Sequence, residues 1–265
     1  PSRYDATEGV EVRQGDLLEP ESLEGVFEDI DVVYYLVHSM QSGGDFAERD
    51  KKAAHNFVEA VKDTNVERVI YLGGLGETRD NLSEHLSSRR EIEEVLREGD
   101  YELTSFRAAV IVGAGSASFE IVRQLVNRLP VMITPQSLRT PCQPIAISDV
   151  VTYLVECLDV PETAGKTFEI GVPDVLTYQK MLKRTARVMG KKRFIIPVPI
   201  LTPALSTYWI DLATDVPKSI VHPLIYGLKN PVVVKDESVN DYFDFELTSF
   251  DVAVERALRK VKDEA

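Results

Sequence analysis

Short apolar runs alternate with amphipathic stretches along the first 170 residues, and this rhythm predicts strands and helices in turn. Five runs read as strands: Val10–Val12, Val32–Val37, Arg68–Leu72, Leu103–Phe106 and Thr167–Ile170. Between them, residues 46–62 place Phe46, Ala53, Ala54, Phe57, Val58 and Val61 at steps of three and four, the spacing of a helix with one buried side. Residues 82–97 repeat this with Leu82, Leu86, Ile92, Val95 and Leu96. Ser148 precedes Val150–Leu158 and is the predicted N-cap of a further helix. Such alternation predicts an α/β fold whose mainly parallel sheet is covered on both faces.

The rhythm changes after Gly171. Residues 177–189 form one more helical pattern, whereas residues 193–235 are proline-rich and apolar without clean periodicity. The expected division is a dinucleotide-binding domain over residues 1–171 and a smaller lobe over residues 172–265. That lobe is either a lid at the carboxyl ends of the strands, where ligands bind in open α/β sheets, or a covering element without ligand contact. Tyr208 and Trp209 within it are either core or a stacking platform.

Composition narrows the classes. With 44% hydrophobic and 28% charged residues, the chain has globular rather than disordered character. A net charge of -13, with no cluster of Lys and Arg, argues against nucleic acid as a partner. Cys142 and Cys157 are the only cysteines; they make neither a disulfide framework nor a metal site, and read as small core hydrophobes. There is no run of about 18 apolar residues to span a membrane, and Pro197, Pro199 and Pro203 interrupt the most apolar stretch. A cytoplasmic location is the expectation.

Several strings carry a resemblance. Val12-Arg13-Gln14-Gly15-Asp16-Leu17 resembles the third strand and turn of extended short-chain dehydrogenases, and Asp31 through Met40 resembles the fourth strand. Val66 through Gly74 is similar to the fifth, Phe106 through Gly113 to the sixth, and Gln143 through Val150 to a later turn before a helix. The combination of Tyr34 to Met40, Tyr71 to Gly76, His85 to Arg89 and Gly115 to Glu120 is similar to an NmrA-like, atypical branch of the short-chain dehydrogenase/reductases, whose members include NAD(P)-binding, nucleoside-diphosphate-sugar-epimerase-like proteins. The resemblance implies a Rossmann-like, doubly wound parallel sheet with NAD or NADP as cofactor.

Family members open with a strand, a Gly-x-x-Gly-x-x-Gly turn, a helix and a second strand, and the turn brings backbone N–H groups to the pyrophosphate. This sequence begins about where that second strand has ended. It is therefore expected to be a fragment lacking the first βαβ unit, ~30–40 residues, with weak or absent dinucleotide binding. The sheet would then lose its middle, leaving the Val10–Val12 strand displaced or poorly paired. Gly113-Ala114-Gly115-Ser116 follows the sixth strand and reads as a tight turn instead of the phosphate fingerprint.

The resemblance also nominates site residues. Active relatives use a Tyr-x-x-x-Lys pair with a Ser or Thr after the fifth strand; here the aligned positions are His85 and Arg89, and Gly73-Gly74-Leu75-Gly76 offers no hydroxyl. His85 is either a proton donor, since imidazole titrates near neutrality, or a plain polar helix residue. Arg89 either binds a ribose hydroxyl or pairs with Glu93 four residues on; a permanent cation cannot relay a proton. Asp16 and Leu17 form the turn that meets adenine in relatives. Val37, His38, Gly73, Gly74 and Arg107 sit at strand ends expected to border the cofactor. Tyr34 and Tyr35 alternate faces, so one should be core. His55 is expected in solvent.

The first functional expectation is an NAD(P)-dependent oxidoreductase or epimerase-like enzyme acting on an unknown small molecule. The alternative is a non-catalytic NAD(P)(H)-sensing regulator or assembly factor, favoured by the altered Tyr, Lys and Ser positions. A third has the proline-rich lobe docking on a membrane complex.

Overall fold

The computed structural model describes residues 9–38, 46–76, 84–198 and 213–263, the side chains of Glu84 and His85 excepted. In chain order, β1 (Val32–Tyr35) precedes α1 (Phe46–Val61), β2 (Arg68–Gly74) precedes α2 (Glu84–Leu96), and β3 (Glu102–Ala108) precedes the short β4 (Ile111–Val112) and α3 (Ala117–Arg128). Next come β5 (Val131–Pro135), β6 (Pro141–Cys142), β7 (Ile145–Ala146), α4 (Ile147–Glu156) and β8 (Thr167–Ile170). The remainder holds β9 (Leu176–Thr177), α5 (Tyr178–Val188), β10 (Phe194–Val198), α6 (Lys218–Gly227) and α7 (Phe250–Asp263).

The main sheet has the order β1-β2-β3-β8, and every pair is parallel. Because strand side chains alternate faces, β2 divides its apolar residues between two cores. Val69 and Tyr71 join Tyr35, Phe57, Ile92 and Leu96 beneath α1 and α2. Ile70 joins Phe106, Phe168, Tyr153 and Phe243 on the other face, under α4 and the segment before α7. Burial on both faces explains the near-continuous apolar runs in β2 and β3. Among the described residues three two-stranded sheets lie outside this one: β4 with β7, β6 with β9, and β5 with β10.

A buried cation ties the amino ends of the strands together. Arg68 is 8% exposed; its guanidinium donates to Thr104 Oγ1 at 3.1 and 2.9 Å, to the Cys157 carbonyl at 2.8 Å and to Thr163 Oγ1 at 2.6 Å. Buried polar groups persist where such donors are satisfied.

Three expectations need correction or refinement. Val10–Val12 forms no strand: Val10 and Val12 are exposed, and the neighbouring Arg13 side chain holds the segment by donating to the carbonyls of Gly25 and Val26 instead of a ladder. This is the poorly paired arrangement expected of it. Ser148 is not an N-cap. The helix starts at Ile147 with Ala146 as its cap, and Ser148 Oγ donates to the Asp149 carboxylate. The irregular stretch 193–235 contains β10 and α6; β10 finds its partner in β5, more than 60 residues upstream, a pairing that local periodicity does not encode.

Other readings hold. The predicted helices 46–62, 82–97 and 177–189 appear as α1, α2 and α5; α1 and α2 each end one residue early, and α5 is one residue shorter at each end. Residues 113–116 make the tight turn, closed by Ser116 N–H to the Gly113 carbonyl at 3.2 Å, with Gly115 at φ +78°. Tyr35 is core, while Tyr34 donates its O–H to the Leu154 carbonyl at 2.7 Å. Both cysteines are fully buried, and burial raises their thiols to about 12 for Cys142 and about 11 for Cys157. His55 is exposed. Tyr208 and Trp209 lie outside the described residues.

Candidate functional site

The carboxyl ends of β1 and β2 converge where α2 crosses the sheet. The end of β2 is glycine for a steric reason: a Cβ on Gly74 would meet Leu86 Cδ2 at 3.2 Å and the Arg89 side chain at 3.6 Å, and one on Gly73 would lie 2.8 Å from the Tyr71 ring. Bare backbone here therefore lets α2 pack closely. Two hydrogen bonds fix the helix to the strand, from Tyr71 Oη to the Arg89 carbonyl at 3.2 Å and from Arg90 Nη2 to the Gly76 carbonyl at 2.6 Å.

Arg89 is thereby placed within electrostatic reach of His38, beyond the end of β1. Val37 and His38, two and three residues beyond its end, both keep solvent access. Protein packed around the His38 imidazole lowers its pKa, the positive charge of Arg89 lowers it further, and Asp50 opposes them. The balance keeps His38 neutral over a wider pH range than a free imidazole. Asp50 is 3% exposed on the buried face of α1. The sequence reading missed it, although it stands four residues after Phe46 and three before Ala53, at a position the helical pattern reserves for core.

The remaining nominated residues fall elsewhere. Asp16 spends one carboxylate oxygen on its own turn, accepting from Leu18 N–H at 2.8 Å. The Leu17 carbonyl accepts from Asn56 Nδ2 at 2.6 Å, which anchors that turn to α1. Arg107 points to the far side of α2. Its Nε and Nη2 each donate to Glu93 at 2.8 Å, to different oxygens. Arg97 also donates to Glu93, at 2.8 Å. Glu93 is 2% exposed; burial pushes its pKa up, but hydrogen bonds and charge from Arg107 and then Arg97 outweigh this and leave the carboxyl below its ordinary range. Arg89, Glu93's sequence-predicted partner, is replaced in that role by these two arginines. His85 lies on α2, and its side chain falls outside the described residues. Among the described residues no cluster of His, Cys, Asp and Glu could hold a metal ion, and no helix is long and apolar enough to cross a membrane.

Residues 1–126 match a family described as NAD(P)H-binding. A nucleoside-diphosphate-sugar epimerase from Staphylococcus aureus superposes on 93% of the chain and 84% of its own, with a TM-score of 0.73 at 15% identity. Triphenylmethane reductase from Citrobacter sp., solved with NADP(H), gives 0.73 over 94% of this chain and 84% of its own at 18% identity. These likenesses establish a Rossmann-like α/β fold. The mitochondrial 40 kDa subunit of NADH-ubiquinone oxidoreductase from Neurospora crassa is 26% identical over 186 residues, 69% of this chain and 48% of that protein. The chain thus spans about half the length of this curated relative. All three likenesses extend beyond residue 126, where the family match ends.

Proposed function

We propose that the chain is an NAD(P)-binding protein of the atypical short-chain dehydrogenase/reductase type, with the dinucleotide laid across the carboxyl ends of β1 and β2. The observation that carries this is Arg89 beside His38 at the end of a parallel sheet, within the residues that match the NAD(P)H-binding family. A guanidinium and an imidazole suit ribose hydroxyls and phosphate oxygens, and the glycine backbone of β2 leaves room for them. The bound nicotinamide would supply the hydride chemistry. The chain's own part is to bind and orient: Arg89 toward the ribose, His38 and Val37 along the cofactor, and Asp16 and Leu17 at the adenine end. Asp50 and the α2–β2 hydrogen bonds position Arg89 and His38. His85 is the proposed proton donor in an oxidoreductase or epimerase-like reaction on a small molecule. A cytoplasmic location, weak dinucleotide affinity, and a cofactor domain over residues 1–171 with a lobe over 172–265 belong to the same reading.

A second reading has a specific observation behind it. The end of β2 and the residues just after it, Gly73-Gly74-Leu75-Gly76, carry no hydroxyl, and Arg89 cannot relay a proton. A non-catalytic NAD(P)(H) sensor or assembly factor would need neither group, and the likeness to a subunit of a large oxidoreductase is compatible with that role.

Titration with NADH and NADPH, followed by nicotinamide fluorescence, tests both readings. Saturable binding that Arg89→Ala weakens about tenfold, the loss of one charge-assisted contact, is the expected result. Binding unaffected by Arg89→Ala and His38→Ala would move the cofactor elsewhere. Turnover of carbonyl or sugar-nucleotide substrates that is lost in His85→Ala separates the enzyme from the sensor.

A further inference from the structure

The two-stranded β5–β10 sheet turns one face outward. Its register sets Phe194 beside Val131 and Ile196 beside Ile133, and residues paired in this way share a face. All four are large and apolar, yet Phe194 is 68% exposed, Val131 49%, Ile196 50% and Ile133 59%. Val131 and Ile133 also border a cavity of about 390 Å³ between α3, β5, α5 and α6. Leu125, Leu182 and Leu224 form part of its wall, and among the described residues no charged side chain does. Contiguous apolar surface of this kind marks contact with a protein or a membrane.

Charge narrows the choice. The chain as a whole is strongly acidic, at -13, but the segments that build this face are not. Residues 121–148 carry three arginines and residues 178–198 carry seven lysines and arginines, with no Asp or Glu in either stretch. Arg123, Arg128, Arg184 and Arg187 are matched by acids from outside these stretches. Lys192 and Arg139 are exposed, and among the described residues no acid pairs with them. They bracket the patch: Lys192 stands two residues before Phe194, and Arg139 closes the short turn that follows β5. Acids elsewhere on the molecule are screened beyond about 10 Å at 0.1 M salt, so the local cations govern what approaches. The four apolar side chains offer no directed bond, whereas protein interfaces carry about one hydrogen bond per 100–200 Å². A fluid surface, apolar within and acidic at its boundary, needs none.

We propose that the outer face of β5 and β10 is a peripheral docking surface for an anionic lipid bilayer. Phe194, Ile196, Val131 and Ile133 sit at the acyl boundary, and Lys192 and Arg139 meet the headgroups. The inference does not depend on the dinucleotide reading, and its test contains no dinucleotide, so either can fail without the other.

Flotation of the full chain with vesicles tests this. At about 0.1 M salt it should bind vesicles of phosphatidylcholine and phosphatidylglycerol in equal parts, and not those of phosphatidylcholine alone. Lys192→Gln and Arg139→Gln should each weaken binding about fivefold, the contribution of one cation near an anionic leaflet. Phe194→Thr keeps strand preference and charge, and should weaken it at least fivefold through lost apolar burial. Both native cysteines are fully buried, so a polarity-sensitive dye on Phe194→Cys reports that position alone. Its emission should shift to the blue on adding the mixed vesicles. Equal or absent binding to the two vesicle types, or an unshifted dye, would overturn the proposal. So would cation variants that weaken binding while Phe194→Thr does not, which is attraction to any polyanion, an acidic protein included. A vesicle-free protein whose sedimentation mass falls with Phe194→Thr would assign the face to a second copy instead, and sink the idea.

Discussion

Glu93 and Arg107 meet in a two-pronged ion pair, both contacts at 2.8 Å, that joins the middle of α2 to the end of β3. Arg97 adds a third donor from the next helical turn, and both Arg97 and Glu93 reach Thr167 on β8. The pair therefore clamps α2 across two strands, and Arg89 sits one turn away on the same helix. Removing the acid would leave Arg107 facing a buried gap. Glu93→Gln should cost about 3 kcal/mol, as breaking one side of a buried pair does, seen as a lower urea midpoint.

The same carboxyl sets an acid limit. Its pKa in the folded protein lies below the ordinary value, so its stabilisation is fully present above the unfolded pKa of about 4.3 and is lost as pH falls through the folded value. Urea unfolding followed from about pH 7 to about pH 2.5 should show this loss in the unaltered protein and a shallower decline in Glu93→Gln.

His38 should titrate below the ordinary imidazole value, because burial and the Arg89 charge both disfavour its protonated form. Arg89→Ala removes only the second influence. The midpoint should rise, yet remain below that of a free histidine. Imidazole proton shifts across pH read this directly, and an unchanged midpoint would separate the two side chains.

The sheet and the three long amphipathic helices were legible because their apolar spacing matches strand or helix period. Arg89 and His38 were nominated through motif likeness, and the fold brings them within electrostatic reach. Arg107 illustrates what local sequence withholds. Its position at a strand end suits a ligand contact equally well, and only the packing of α2 turns it toward Glu93. Asp50 was hidden for a related reason: an acid within an apolar stripe is easily passed over as an exception. The β5–β10 pairing depends on a partner far along the chain, as the cavity wall does.

Asp149 is a second buried acid, 4% exposed, and it accepts from the Thr248 N–H and hydroxyl, both at 2.7 Å. These bonds fasten the chain just before α7 onto α4. Asp149→Ala should cost about 2–3 kcal/mol, since hydrogen bonds to charged acceptors are the stronger kind. Amide exchange should quicken in residues 248–263 before it does in β2 and β3.

Gly73→Ala offers a steric test. The new methyl would stand 2.8 Å from the ring of Tyr71, which is fully buried and cannot swing aside. A loss of about 1–3 kcal/mol is expected for such overpacking, measured as a lower melting temperature.

The acceptors of Arg68 come from residues 104, 157 and 163, and two of these lie downstream of residue 126, where the NAD(P)H-binding likeness stops. A piece trimmed at that boundary would lose two of the four hydrogen bonds made by the buried Arg68 guanidinium, and would lack β8 as well. The domain that evolution recognises by sequence is thus shorter than the unit that physics can close. A growing chain cannot finish this half of the molecule until Thr163 has been made.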